Sequence, residues 1–319
     1  MPDAAARDDA APVRVAVVGV GHLGKHHVRL LAQAEGAQLV AAVDTQIARA
    51  AAAVEGTPAR ALTDYRDVIG EVDAVTIAVP TEAHHDIALE FLRRGTSVLV
   101  EKPMTRTIAE AEALIAAARA AGATLAVGHT ERYNPAIATV MPFVTTPRFI
   151  EVHRLGAFPD RSLDIDVVFD LMIHDLDIIL ALVKADPVSI EAVGVPVLTD
   201  RFDIANARLR FATGCIANVT ASRISKERVR KIRFFQPDAY VSIDYAEQEV
   251  EGYRLLRRDG ERPQIQGGQL PVSREEPLKR ELADFVRAVR GGRPPLVSGE
   301  DGLRALRLAQ AIADAMETV

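Results

Sequence analysis

Asp170 and His174 stand four residues apart in the run DVVFDLMIHDLDIILALV, Asp166 to Val183. On a helix that spacing puts both on one face, with Asp166 a turn earlier and Asp177 a turn later. A polar pair on so apolar a segment needs a reason, because an unpartnered buried polar group costs about 1–3 kcal/mol. An aspartate can orient a histidine ring and raise its basicity. The histidine can then take a proton from an alcohol while hydride leaves the same carbon. The same spacing equally suits a structural pair that anchors the helix. Lys102 is the second candidate, in EKPM directly after the strand-like SVLV. An ammonium there could hydrogen-bond a reacting oxygen, with Pro103 stiffening the turn; the alternative is a surface lysine paired with Glu101.

These groups need a frame, and the first half of the chain supplies one. Val13 to Val20 reads as a buried parallel strand and runs into GVGHLG, with Gly19, Gly21 and Gly24. A helical pattern follows, with Leu23, His27, Leu30, Leu31 and Ala34 on one side. A second strand, LVAAVD, ends in Asp44, about 20 residues beyond the last glycine, as the dinucleotide fingerprint requires. Gly19 permits the tight turn, Gly21 admits a pyrophosphate and Gly24 lets helix and strand pack. The helix start, with His22 and Leu23, offers N–H groups to phosphates. Asp44 can accept from a ribose 2′-hydroxyl and would repel a 2′-phosphate, which favours NAD over NADP, although Thr45 and Arg49 nearby could soften that preference. Strand-like and helical segments then alternate as far as Val127. The alternation predicts a doubly wound α/β (Rossmann) parallel sheet, whose ligands lie beyond the carboxyl ends of its strands. Those ends carry Pro80, Thr81 and His84, then Glu101 and Lys102, then His129 to Asn134 with Arg132. Of the other early histidines, His26 reads as helix surface and His27 as packing.

After Pro135 the texture changes. Phe149–Phe158, Ser189–Val197, Phe202–Ser225, Val229–Gln236 and Tyr240–Arg257 alternate as antiparallel strands with one wet face do. Helical patterns follow at Glu275–Val289 and Glu300–Met316. The domain reading is a disordered tail over 1–12, a dinucleotide-binding domain over 13–134, and a C-terminal α+β domain over 135–319 with a largely antiparallel open sheet. An open sheet commonly meets its own copy, so a homodimer or homotetramer through this face is expected. Arg154 and Arg161, ahead of the apolar helix, could meet a substrate phosphate.

Composition removes other classes. The chain has 319 residues, a net charge of −6, one cysteine and no tryptophan. A lone Cys215 cannot form an internal disulfide or a cysteine-based zinc cluster. No His, Asp and Glu set has metal-ligand spacing, so no metal is expected. The basic stretch Arg223, Lys226, Arg228, Arg230, Lys231 and Arg233 alternates with Val229, Ile232 and Phe234 like the wet face of a strand, and nucleic acid is not expected as a partner. Nothing approaches the roughly 18 apolar residues of a membrane span. The expected location is the cytoplasm.

Together the segments resemble the Gfo/Idh/MocA oxidoreductases from Val13 onward. GVGHLG resembles that family's cofactor loop, PTEAHH its proline-to-histidine loop with His84 in place, EKPM its strand-five signature and DLMIHDLD its helix motif. The resemblance implies NAD as cofactor and Lys102, Asp170 and His174 as catalytic groups. One departure stands out: a glycine pair common before the aspartate is replaced by Asp166, Val167 and Val168, so sugar or inositol specificity does not carry over. GHTERYNPA with DIDVVFDLMIHDLDI is most similar to a subgroup acting on nucleotide sugars. That implies oxidation of a ring hydroxyl at C3 to a 3-keto sugar, which a pathway aminotransferase would use towards a 3-amino sugar of lipid A. Alternatives are a dehydrogenase of inositol, a free hexose or another small polyol, and a non-catalytic NAD-binding sensor.

Overall fold

Valine-rich runs flanked by turn residues form the first strands of the protein, whose computed structural model describes residues 11–158, 165–257 and 262–318. The tail expected over 1–12 therefore lies almost wholly outside the described residues. In chain order come β1 (Val13–Val18), α1 (Gly24–Leu31), β2 (Ala37–Val43), α2 (Ile47–Val54), β3 (Arg60–Leu62), β4 (Ala74–Ile77), α3 (His84–Leu92), β5 (Ser97–Glu101), α4 (Ile108–Ala121) and β6 (Leu125–Gly128). There follow α5 (Pro135–Val140), β7 (Phe149–Leu155), α6 (Ile173–Val183), β8 (Pro187–Val195), β9 (Ile204–Phe211), β10 (Ile216–Ser222), β11 (Val229–Phe235), β12 (Ala239–Asp244), β13 (Glu249–Leu256), β14 (Gln264–Leu270), α7 (Pro277–Gly291), α8 (Gly299–Ala315) and β15 (Met316–Thr318).

The chain divides into two units. Unit 1 runs to His129 and takes back Leu278–Leu303; unit 2 holds Thr130–Pro277 and the segment from Arg304 onward. This departs from the division into 13–134 and 135–319. The reason is hydrophobic: Leu282, Phe285, Val286 and Val289 of α7 join the core formed by β1, α1 and β2. The amphipathic α7 is thus spent on the first sheet, although the unit 2 segment Thr130–Pro277 intervenes in sequence.

In unit 1 the strands run β3-β2-β1-β4-β5-β6, all parallel. This is the doubly wound order, with its reversal between β1 and β4. Sequence-encoded punctuation sets the helix ends: a capping box of Thr107 and Glu110 opens α4, and Gly122 at φ 65° closes it.

Unit 2 has a nine-stranded sheet in the order β14-β13-β12-β11-β7-β10-β9-β8-β15. Its pairs are antiparallel except β7 with β10 and β8 with β15. One face is covered: Ile150, Val152, Val219, Ile232, Phe234 and Ile243 pack against α6 and against Leu308 and Ile312 of α8. The opposite face carries an aromatic ladder, Phe149–Phe235–Tyr240–Tyr253, with ring centroids 5.5, 5.1 and 6.3 Å apart. Beside it run the ion pairs Arg233–Glu151 at 2.8 Å and Lys231–Asp244 at 3.5 Å.

The long helix expected over 166–183 is not one regular helix. Val168–Met172 forms a π-turn, and the α-helix begins only at Ile173. No helix of the described residues is long and apolar enough to cross a membrane.

Candidate active site

The cofactor cradle of unit 1 passes a steric test. Gly19 sits at φ 86°, and a Cβ there would lie 2.6 Å from the Ala78 carbonyl oxygen. A Cβ on Gly24 would lie 1.8 Å from the Gly19 oxygen, so helix and loop close only around glycine. Around Gly21, by contrast, a Cβ would meet nothing within 4 Å. Its lack of a side chain serves no contact within the protein and leaves room against the backbone, as an approaching pyrophosphate requires. Leu23 and His22 are exposed at the start of α1. Asp44 is held at the end of β2 by two backbone N–H groups, Val20 donating to Oδ2 at 3.1 Å and Gln46 to Oδ1 at 2.9 Å. Each carboxylate oxygen keeps lone-pair capacity for ribose hydroxyls. A dinucleotide therefore fits Gly19, Gly21, Gly24 and Asp44, with the exposed His22 and Leu23 at the loop's rim. Pro80 and Thr81 open the short 3-10 turn that leads into α3.

Lys102 leaves the end of β5, half-buried, through a cis bond to Pro103. Two buried histidines brace this turn. His27 Nε2 lies 3.1 Å from Oε1 of Glu101, and the Lys102 N–H donates to Oε2 of the same carboxylate at 3.3 Å. Burial alone would raise the Glu101 carboxyl; hydrogen bonding and charge from His27, with the charge of Lys102, bring it below the ordinary carboxylate value. Gly128 makes this fit, since a Cβ there would sit 2.9 Å from Glu101 Oε2. His84 Nδ1 lies 3.0 Å from the Pro103 carbonyl and Nε2 lies 2.9 Å from the Val79 carbonyl. A neutral imidazole can donate only one of those bonds. Burial pushes the His84 imidazolium below its ordinary value, and the bonds to the two carbonyls oppose that.

Two residues expected at the cofactor thus have other occupations. Both ring nitrogens of His84 face backbone carbonyls, of Val79 and Pro103, and the neutral ring donates to one of them. The Glu101 carboxylate is spent on His27 and the Lys102 backbone. They position the lysine turn from beneath.

In unit 2, Asp170 lies on the π-turn and His174 in the first turn of α6, both partly exposed beside the buried Val168, Met172 and Ile173. A π-turn brings residues four apart closer to one line than an α-turn does, and such turns concentrate at functional sites. The start of α6 is fixed by two buried two-point ion pairs. Arg154 of β7 donates from Nε to Asp175 Oδ2 at 2.6 Å and from Nη2 to Oδ1 at 2.9 Å. Arg132 donates from Nε to Asp177 Oδ2 at 2.8 Å and from Nη2 to Oδ1 at 2.6 Å. Arg132, expected at the cofactor, therefore spends that fork on α6. Arg154, expected to meet a substrate phosphate, is 4% exposed and also donates to Glu131 at 3.1 Å. Burial would lower its guanidinium, but Asp175 and Glu131 more than offset this and hold it above its ordinary value. Arg161 lies outside the described residues.

A third buried arginine secures the approach to the π-turn. Arg223 donates to Asp203 at 2.8 Å and to the Ile165 carbonyl at 2.8 Å. Asp203 also accepts from the N–H groups of Val197, Leu198 and Thr199 at 2.9, 2.6 and 2.9 Å. Burial would raise the Asp203 carboxyl, yet these bonds and Arg223 hold it well below the usual carboxylate range. Arg223 thus leaves the wet strand face expected of the basic stretch. Arg230 leaves it too, lying on the helix-covered face with Ile232 and Phe234. Among the described residues no group of three or more His, Cys, Asp and Glu could hold a metal ion.

His27, Arg154, Asp175, Asp177 and Asp203 are the working residues that sequence reasoning missed or misread. Their one signal was a charged residue inside an apolar run, as in HDLD.

Residues 13–129 match a family described as the oxidoreductase family with an NAD-binding Rossmann fold, and residues 145–238 match the GFO/IDH/MocA C-terminal domain. The chain is 38% identical over 309 residues to the UDP-N-acetylglucosamine 3-dehydrogenase of Acidithiobacillus ferrooxidans, covering 96% of this chain and 97% of that one. A solved structure of that dehydrogenase superposes with a TM-score of 0.89 at 37% identity, covering 96% of this chain and 98% of that one. An inositol 2-dehydrogenase of Rhizobium meliloti is 27% identical, covering 94% of this chain and 95% of that one.

Proposed function

The chain belongs to the Gfo/Idh/MocA family of NAD(P)-dependent oxidoreductases, and from that premise we propose that it oxidises C3 of UDP-N-acetylglucosamine to a 3-keto sugar. The observation that carries the reading is that Asp170 and His174, four residues apart and both partly exposed, lie at a helix start fixed by two buried arginine–aspartate forks. The full-length likeness to a dehydrogenase of that sugar supports the substrate. Likeness to an inositol dehydrogenase keeps a small polyol as the second reading.

Gly19, Gly21 and Gly24 would hold the pyrophosphate and Asp44 the ribose. When bound, the nicotinamide supplies the hydride acceptor. His174 would take the proton of the C3 hydroxyl, with Asp170 orienting its ring. Lys102 would stabilise charge developing on a reacting oxygen by donating a hydrogen bond. Alignment of the reacting groups would supply much of the remaining rate.

The 3-keto product would serve an aminotransferase in the cytoplasm, on the way to a 3-amino sugar of lipid A. The aromatic ladder on the open sheet face suits a second copy of the chain, since apolar sheet surface is costly to leave wet. Light scattering would then show a dimer or tetramer that Tyr240→Glu dissociates. The functional test is NADH formation with UDP-N-acetylglucosamine, UDP-glucose, myo-inositol and glucose side by side, with glutamate and the aminotransferase present to draw off a 3-keto product. Turnover of the N-acetylated UDP-sugar, abolished by His174→Ala, is expected. Turnover of myo-inositol with no response to either UDP-sugar would replace this reading by the polyol one.

A further inference from the structure

Arg230 and Arg154 are direct partners across β11 and β7. Both project from the covered face, beside the start of α6 that carries His174. Like charges placed opposite one another in an antiparallel pair are destabilising. Arg154 is satisfied twice over, by Asp175 and Glu131. Arg230 is not equally served. Its only ion pair among the described residues is to Glu131 at 4.0 Å, on the oxygen that Arg154 already holds at 3.1 Å. Its side chain is 41% exposed where that of Arg154 is 5% exposed. Arg228 adds a further positive charge within electrostatic reach, and Arg132 occupies Asp177. At the start of α6, then, Arg132 is matched by Asp177 and Arg154 by Asp175 and Glu131, while Arg230 shares one oxygen of Glu131 with Arg154. Of these three guanidinium groups, Arg230 is the one with a wide outlet to solvent.

A stable fold has no need of this arrangement. Desolvation and the repulsion of Arg154 both act against the charge of Arg230. An anion delivered to Arg230 would relieve that repulsion. We propose that Arg230 is the specificity residue that receives the diphosphate of the substrate on the His174 side of unit 2. It would distinguish a nucleoside diphosphate sugar from an uncharged polyol. The inference rests on the nucleotide-sugar reading and deepens it, assigning to the partly exposed Arg230 the role that the buried Arg154 is too fully engaged to play.

The test compares the full-length holoenzyme with Arg230→Met and Arg230→Lys, using UDP-N-acetylglucosamine as substrate and UDP as inhibitor. Loss of a charge-assisted hydrogen bond should raise KM for the UDP-sugar and Ki for UDP together by about 10- to 100-fold, with kcat changed by no more than about threefold. Arg230→Lys should recover part of the loss, since it keeps the charge without the fork. The melting temperature of Arg230→Met should be unchanged or higher, because a like-charge pair has been removed; a merely structural arginine would give a lower one. If the wild type turns over the UDP-sugar and Arg230→Met does so with unchanged KM and Ki, the assignment of Arg230 falls and the nucleotide-sugar reading stands. A lowered melting temperature together with falling kcat also overturns it. If the wild type neither turns over the UDP-sugar nor binds UDP, both readings fall together. Should Arg230→Met not fold, Arg230→Gln and the lysine variant carry the same comparison.

Discussion

The cofactor loop of unit 1 and the start of α6 in unit 2 solve the same problem of placing polar groups by opposite means. The loop uses backbone. Its geometry is set by what glycines lack, and its one charged group, Asp44, is aimed by two main-chain N–H groups. The α6 segment uses side chains. Two buried arginine–aspartate forks hold its start, and a third buried arginine, Arg223, bonds Asp203 and the Ile165 carbonyl ahead of the π-turn. A backbone cradle suits a ligand whose phosphates need N–H donors in a fixed arc. A charge-pinned helix start fixes the segment that carries His174, because Asp175 and Asp177 on that segment are each held by a buried arginine. The Lys102 turn combines the two: the buried side chain of His84 lies between the backbone carbonyls of Pro103 and Val79 and donates to one of them.

The comparison breaks most visibly at Arg154. Removing one partner of a buried ion pair leaves an uncompensated charge and costs about 3–5 kcal/mol. Arg154→Met should therefore destabilise unit 2 by that amount. Calorimetry should show the melting temperature lowered accordingly. Next in size is Gly24→Ala. A methyl 1.8 Å from the Gly19 oxygen forces loop and helix apart, and the cost should be about 1–3 kcal/mol or more in unit 1. Gly21→Ala sharpens the contrast. With nothing within 4 Å of the added methyl, thermal stability without cofactor should change by less than about 0.5 kcal/mol. NADH affinity, followed by fluorescence, should nevertheless fall by about tenfold or more, since the methyl takes the place of the pyrophosphate.

The smallest effect concerns pH. His84 titrates below its ordinary value in the folded protein, so between the two values the unfolded chain binds the extra proton. Stability from this group is therefore complete above about pH 6.5, the unfolded value, and is lost as pH falls towards the folded one. His84→Gln should flatten that acid limb of the melting temperature. It should also loosen the Lys102 turn, lowering kcat more than it raises KM.

Much of unit 1 was legible because its signals are local. Gly19, Gly21, Gly24 and Asp44 fall within one βαβ unit, and the helix caps at Thr107 and Gly122 are read from neighbours. What escaped was long-range. His27 meets Glu101 across 74 residues, Arg132 meets Asp177 across 45 and Arg154 meets Asp175 across 21, so no spacing rule links them. The π-turn escaped because apolar periodicity over Asp166–Val183 cannot tell one extra residue in a turn from regular helix. Strand β14, QIQGGQL, escaped because it has no apolar alternation; its pairing with β13 creates it. Helix α7 was correctly read as helical, and only its hydrophobic partners in unit 1 reveal where it belongs.

The central claim, removal of hydride from C3 with His174 as the base, meets its most direct test in UDP-N-acetylglucosamine deuterated at C3. The account predicts that the deuterium appears in the reduced nicotinamide by mass spectrometry, with a primary isotope effect on turnover, and that His174→Ala slows the same transfer by about 10²- to 10⁴-fold without changing its origin. Reduced nicotinamide free of deuterium, formed at an undiminished rate from the labelled sugar, would place the chemistry at another carbon and contradict it.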